Sequence, residues 1–498
     1  MKKKTSIILF ILFLFAQIDI SAQSTAVFPR LEPDPKALEY FHLGDDDVYS
    51  WQALAEISLW ASGDINASTM PRVIAAAEAI KNSPDLPGET VDQAEFVLNY
   101  MHRNILRSYS LYQTRVDTIF TNGRYNCVSS AVLYMILCKS LGISSFGVIT
   151  RAHAFVKVGV GEIEYDVETT NRYGFNPGNR KEFHDEFGRL TGFSYVPPQN
   201  YRDRQTIGDI ELISLIFNNR IFEQERQNRY AQAVPLAVDR TALLLGSSPA
   251  ALSKISSWSD LFKDPYLELL DRIFNYGAGL LRGSQEENAL RWAAAASEKY
   301  PDPERWQEFV MAAVNNRLSR FLRENNVTQA RTFFDSNKNL LTEENQFKLL
   351  SILTEAELLR AANQLTLADD CNEFIPLVES ALRNGYIPAN RAREIIIFAI
   401  QRTASQLATP PGTRNPTGET LRIAIKFLQD SIESHGTGRE LEQALGSYRS
   451  ALANDYHNRF AAEWNRGNHD EARRILDEGL AEFPDNRQLL NNRDRINR

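Results

Sequence analysis

Residues 125–168 read YNCVSSAVLYMILCKSLGISSFGVITRAHAFVKVGVGEIEYDVE, and the change of pattern inside them decides the fold. The apolar run after Asn126 predicts a helix from about Cys127 to Leu141, stopped by Gly142. Two or three short segments rich in Val, Ile and Phe follow, bounded by glycines, and these predict strands. A helix followed by an antiparallel sheet makes this part of the chain α+β.

Cys127 opens that helix behind Asn122-Gly-Arg-Tyr-Asn126, a polar, turn-forming lead-in. A thiol there faces unpaired backbone N–H groups and the positive end of the helix dipole, which favour a thiolate and can hold an oxyanion. The commonest fate of a free cysteine is to be a small buried hydrophobe, and Cys138 is expected to show it. Eleven residues on, Cys138 lies about 16 Å further along the helix axis and cannot bridge to Cys127.

His153 and Asp166 fall in the strands. A two-residue type II′ turn at Gly159-Val160, with glycine first, would oppose His153 and Asp166 directly, with Cβ atoms about 5 Å apart. That is close enough for a carboxylate to orient an imidazole. The competing turn, Val160-Gly161, would oppose His153 to Glu168 instead, but it needs positive φ at a β-branched valine. Turn chemistry therefore favours Asp166.

Working outward, residues from Asp34 to about Arg115 have helical apolar spacing, as in Val91, Ala94, Val97, Leu98 and Met101, after breaks at Pro84 and Pro87. On the other side, Asn171 to Gly178 is rich in turn formers and Pro197-Pro198 breaks the chain again; beyond that the sequence is helical with almost no strand signal. Three places in that tail, Asn228 to Ala233, Asn326 to Ala330 and Gly467 to Ala472, have the small-residue turn and second-helix start of a degenerate tetratricopeptide repeat. Such an array holds a partner more readily than it does chemistry, and it predicts a curved stack of helix pairs presenting a groove.

Composition narrows the function. The chain has 498 residues, 43% apolar and 24% charged, enough for about three ordinary domains. Its 55 Lys and Arg against 63 Asp and Glu give a net charge of −8, which argues against nucleic acid as a partner. Three cysteines cannot make a disulfide scaffold, and seven scattered histidines without HExxH or CxxC argue against a metal site. No cofactor is expected. At the amino terminus, Met1-Lys-Lys-Lys4 and the apolar run Ile7 to Ala16 have the form of a secretory signal, with a cleavage point after Ala22 and no cysteine to carry a lipid. The expected location is periplasmic or secreted; an uncleaved signal anchor would be the only membrane attachment.

Asn126-Cys-Val-Ser129, the helix through Leu141-Gly-Ile143, His153-Ala-Phe-Val156 and Tyr165-Asp-Val-Glu-Thr-Thr-Asn171 together resemble the core of the transglutaminase-like superfamily, particularly its SirB1-like branch. The resemblance implies a papain-like triad with Cys127 as nucleophile, His153 as base and acid, and Asp166 as orienting carboxylate. It also implies amide-bond chemistry and a continuation into tetratricopeptide repeats. One departure is Tyr125, where the superfamily often has glycine; a bulky residue there would border the approach to Cys127. The expected organisation is a signal peptide over 1–22, a helical region over 23–89, a transglutaminase-like core over 90–205 and an α-helical repeat region over 206–498. The expected function is that of a cysteine-dependent amide hydrolase or acyltransferase acting on a peptide or protein. The alternative is a non-catalytic binding or scaffold protein using the same two parts.

Overall fold

The computed structural model describes residues 27–44, 49–178, 181–191, 203–436 and 438–496. The signal-like segment 1–22 and the Pro197-Pro198 break lie outside the described residues. Four helices come first: α1 (Pro35–Leu43), α2 (Trp51–Ser62), α3 (Met70–Lys81) and α4 (Thr90–Asn104). Strand β1 (Ser108–Tyr109), helix α5 (Val116–Asn122) and strand β2 (Arg124–Tyr125) lead into α6 (Cys127–Ser140). Strands β3 (Ser145–Ile149), β4 (Ala154–Val160) and β5 (Ile163–Val167) follow, then α7 (Lys181–Thr191) and β6 (Gln205–Ile207). The chain is α+β here, as the sequence predicts, and otherwise mostly helical.

Every residue of α6 from Val128 to Cys138 is buried. A helix that is apolar all round must be enclosed, and this one is packed by α2, α4, α5 and the sheet. It ends where glycine permits: Gly142 adopts φ +74°, and the Ile143 and Gly142 N–H groups return to the carbonyls of Cys138 and Lys139. The sheet is antiparallel in the order β5-β4-β3-β6. Its β4–β5 register pairs Val160 with Ile163 and Lys157 with Asp166, so the turn is Gly161-Glu162, with Gly161 at φ +62°. The rule that glycine comes first holds, but the glycine that obeys it is Gly161 and not Gly159.

Beyond the sheet come α8 (Asp209–Arg226), α9 (Tyr230–Leu245), α10 (Pro249–Ile255), α11 (Pro265–Arg282) and α12 (Glu286–Lys299). By compactness the chain divides into Met1–Pro303 and Glu304–Arg498, which keeps α8 to α12 with the sheet. The physical reason is α8, which buries Leu212, Ile213, Ile216 and Phe217 while packing on α2, α6 and β3; the Phe217 ring meets Trp60 edge-on at 5.0 Å.

The second unit is built of helices: α13 (Pro303–Arg323), α14 (Val327–Asn337), α15 (Glu343–Gln364), α16 (Ala368–Arg383), α17 (Ala389–Ala408), α18 (Gly418–His435), α19 (Arg439–Asn465), α20 (His469–Glu482) and α21 (Arg487–Ile496). One core gathers Phe374, Ile395, Ile400 and Leu428, and another Leu452, Tyr456, Ile475 and Leu476. The three turns singled out in the sequence share one backbone form. Asn228, Asn325 and Gly467 take positive φ, and the next N–H in each case reaches back five residues, Arg229 to Gln224, Asn326 to Phe321 and Asn468 to Glu463. Ser284 and Gly385 make the same turn. These are Schellman closures, which satisfy the last carbonyls of one helix before the next begins. No helix among the described residues is long and apolar enough to cross a membrane.

Candidate active site

The site begins with how Cys127 is presented. Its helix is capped by Asn126, whose Oδ1 accepts from the Ser129 N–H at 3.0 Å while Ser129 Oγ accepts from the Asn126 N–H at 3.0 Å. The Asn126 amide also donates to the Leu111 carbonyl at 3.1 Å, and Ser130 N–H is taken by the Asn126 carbonyl. Among the described residues the N–H groups of Cys127 and Val128 have no such partner. Cys127 is half-buried, whereas Cys138 and Cys371 are buried. Burial pushes the Cys138 thiol up to about 12 and raises that of Cys371, so neither is a nucleophile in the folded chain.

His153 immediately precedes β4. Its Nε2 donates to Glu168 Oε2 at 2.6 Å, and its other ring nitrogen is left for Cys127, with which the imidazole is also hydrogen-bonded. Burial on its own would lower the His153 pKa; the charges of Glu168 and Cys127, and the hydrogen bonds to both, outweigh it and hold the imidazole well above the ordinary histidine range. The ring lies edge-on to Phe187 of α7 at 5.5 Å, which keeps bulk water from one side.

The carboxylate is therefore Glu168, and the expected pairing with Asp166 is corrected. In the observed register Asp166 faces Lys157, four residues from His153 along β4, or about 13 Å. There it forms a fork-to-fork ion pair with Arg204, at 2.6 and 2.9 Å. Extending the same register, Glu168 would oppose Phe155, which places it diagonally from His153 on the same face of the sheet, within reach of two long side chains.

What holds Glu168 is the loop after β5. Only 1% exposed, its Oε1 accepts from the Thr170 N–H at 3.2 Å and the Thr170 hydroxyl at 2.8 Å. The Glu168 N–H donates to the Gly174 carbonyl, closing a loop so tight that a Cβ on Gly174 would lie 1.9 Å from the Glu168 carbonyl oxygen. His102 braces the loop from α4: its Nε2 donates to the Thr169 carbonyl at 3.1 Å, and burial drives its pKa down to about 4, so it stays neutral. Ser130 of α6 meets the Thr169 hydroxyl at 2.8 Å.

Tyr125 belongs to this brace and not to the approach. It is 4% exposed, donates to the Thr170 carbonyl at 3.2 Å and packs edge-on to His102 and Tyr109. Tyr109 itself was not indicated by sequence. The pairing of β1 with β2 sets it beside Tyr125, and burial, then the charges of Cys127 and Glu168, raise its pKa, keeping the phenol a proton donor. Cys127 and His153 open together onto a cavity of about 250 Å³ that is also lined by Leu215, Asn218 and Asn219 of α8.

No protein-family model matches the sequence, and no curated protein matches it. Among solved structures, a crystal structure of menin, described as revealing its binding site for the mixed lineage leukemia protein, aligns with 86% of this chain and 94% of its own at 12% identity and a TM-score of 0.26. A score that low supports no argument about fold or function.

Proposed function

We propose that the protein is a transglutaminase-like, cysteine-dependent amide hydrolase or acyltransferase acting on a peptide or protein, with Cys127 as nucleophile, His153 as base and acid, and Glu168 as the orienting carboxylate. The observation that carries this reading is the convergence of a helix-start thiol, an imidazole bonded to it and a buried carboxylate on that imidazole, all beside one cavity. A satisfied core histidine needs one partner and has no use for an adjoining half-exposed thiol.

The chemistry follows from the geometry. The Cys127 thiolate adds to the amide carbon, and the C=O π pair moves onto oxygen, where the free N–H groups of Cys127 and Val128 can receive it. The tetrahedral adduct then collapses with cleavage of the C–N bond; the leaving amine takes its proton from the His153 imidazolium, and a thioester remains on Cys127. Water, losing a proton to His153, releases the acyl group as a carboxylic acid, and an amine in its place would form a new amide. Glu168 fixes the tautomer by holding Nε2–H, so that Nδ1 serves the thiol and the leaving group.

The signal-like residues 1–22 support export to a periplasm or the exterior, and the helical hairpins after α8 support a role in holding the substrate. The reading is tested by incubating the mature chain with peptide amides and a casein digest and following release of free amines. Release that Cys127→Ala and His153→Ala both abolish is the expected result. Release by either variant at the parent's rate, or no release by the parent, would overturn it.

A further inference from the structure

The cavity at Cys127 has walls of uneven chemistry. Leu111 stands at its rim, 51% exposed, yet fixed in place because its carbonyl accepts from the Asn126 amide. Leu215, Asn218 and Asn219 line the same cavity; at spacings of three and four they share one face of α8. Leu261 closes the side. Asn219 is anchored by a hydrogen bond from its amide to the Thr114 hydroxyl at 3.1 Å, and Asn218 lines the cavity beside it.

Among the described residues no carboxylate lines this space, and besides the catalytic pair its charged side chain is Arg151, 82% exposed and paired with Asp203 at 3.2 Å. A cationic substrate side chain seated among the leucines would lose water and meet no carboxylate among the described lining residues, and for an anionic one Arg151 is already paired with Asp203. An apolar one would gain contact area, and the peptide groups beside it could use an amide that both donates and accepts.

We propose that α8 and Leu261 form the specificity wall of the site, and that it selects substrates carrying a bulky apolar residue on the acyl side of the attacked bond, the flanking peptide being held by Asn218. The proposal rests on Cys127 being the nucleophile, and it sets a substrate class: apolar peptide segments, not charged or glycine-rich ones.

The test uses acetyl-Xaa acyloxymethyl ketones with Xaa as Leu, Phe, Gly, Asp or Lys, and follows labelling of Cys127 in the full mature chain by intact mass. Iodoacetamide, which carries no side chain to recognise, runs in parallel. The Leu and Phe probes are expected to label at least about tenfold faster than Gly, Asp and Lys, the discrimination a modest apolar pocket provides. Leu261→Lys, on a loop, should erase most of that preference and favour the Asp probe, each rate being read relative to iodoacetamide labelling of the same variant. Asn218→Ala should slow all the peptide probes severalfold and leave iodoacetamide unaffected; each variant is first shown to melt as the parent does. Iodoacetamide labelling of Cys127 without any preference among the probes overturns the specificity wall and leaves the nucleophile standing. Failure of iodoacetamide itself overturns the nucleophile, and the proposal with it.

Discussion

Replacing Glu168 by Gln keeps the size of the side chain and its acceptance from Thr170 but removes the charge 2.6 Å from His153 Nε2. With the two charges spread over their groups, a separation of about 4 Å and an effective dielectric near 20 make the lost attraction about 4 kcal/mol. The loss of that close opposite charge moves the His153 midpoint down. The sign of the stability change follows. The folded value of His153 lies above its unfolded one, so the pair stabilises the fold below the ordinary histidine value, about 6.5, and that stabilisation fades as pH rises through the folded value. Glu168→Gln should therefore be most destabilised relative to the parent at mildly acidic pH, with the gap narrowing in alkali. Amide turnover should fall by about 10²- to 10⁴-fold, as when an orienting carboxylate is lost from a triad. The assay is an NMR titration of ring-labelled His153 in parent and variant, beside melting curves across pH. An unchanged His153 midpoint would refute the reasoning, and so would a larger shift in Asp166→Asn.

Asp166→Asn should leave the His153 titration and Cys127 reactivity within twofold of the parent, yet cost about 1–3 kcal/mol in urea unfolding, because Arg204 loses its fork partner. Gly174→Ala should destabilise the fold by about 1–3 kcal/mol or more and slow turnover, since the loop that holds Glu168 has no room for a Cβ; a neutral melting curve would contradict that. Cys138, with its thiol pushed up to about 12, should resist alkylation until the chain unfolds, as measured by peptide mapping after pulsed labelling. A chain ended before α8 should fail to melt cooperatively, because Trp60 and the core face of α6 lose Phe217 and its neighbours.

How much of this was legible in the sequence depends on whether local chemistry or packing decided the outcome. The boundaries of α6 were legible because Asn126 caps one end and Gly142 permits the left-handed exit at the other. The helix-pair turns were legible near Asn228, Asn326 and Gly467 because Asn and Gly accept the left-handed backbone that Asn228, Asn325 and Gly467 adopt. Glu168 was not. Two glycines, Gly159 and Gly161, both fit a glycine-first turn, and a choice between them moves the strand register by four residues. The signal that was available is the density of loop formers after Val167: Thr169, Thr170, Asn171 and Gly174 build a tight closure that an orienting carboxylate can use. The place of α8 was hidden differently. Its apolar face reads the same whether it covers this sheet or a later helix, and only packing on α2, α6 and β3 assigns it to the site.

The most direct test of the account is the second-order rate of Cys127 alkylation by iodoacetamide from pH 5 to 10, in the parent and in His153→Ala. The account predicts that below neutral pH the parent reacts faster than the variant, because the His153 imidazole bonded to Cys127 takes up the proton of the attacking thiol. In His153→Ala that advantage below neutral pH should vanish. Superimposable profiles for the two proteins would contradict the claim that Cys127 and His153 act as one unit.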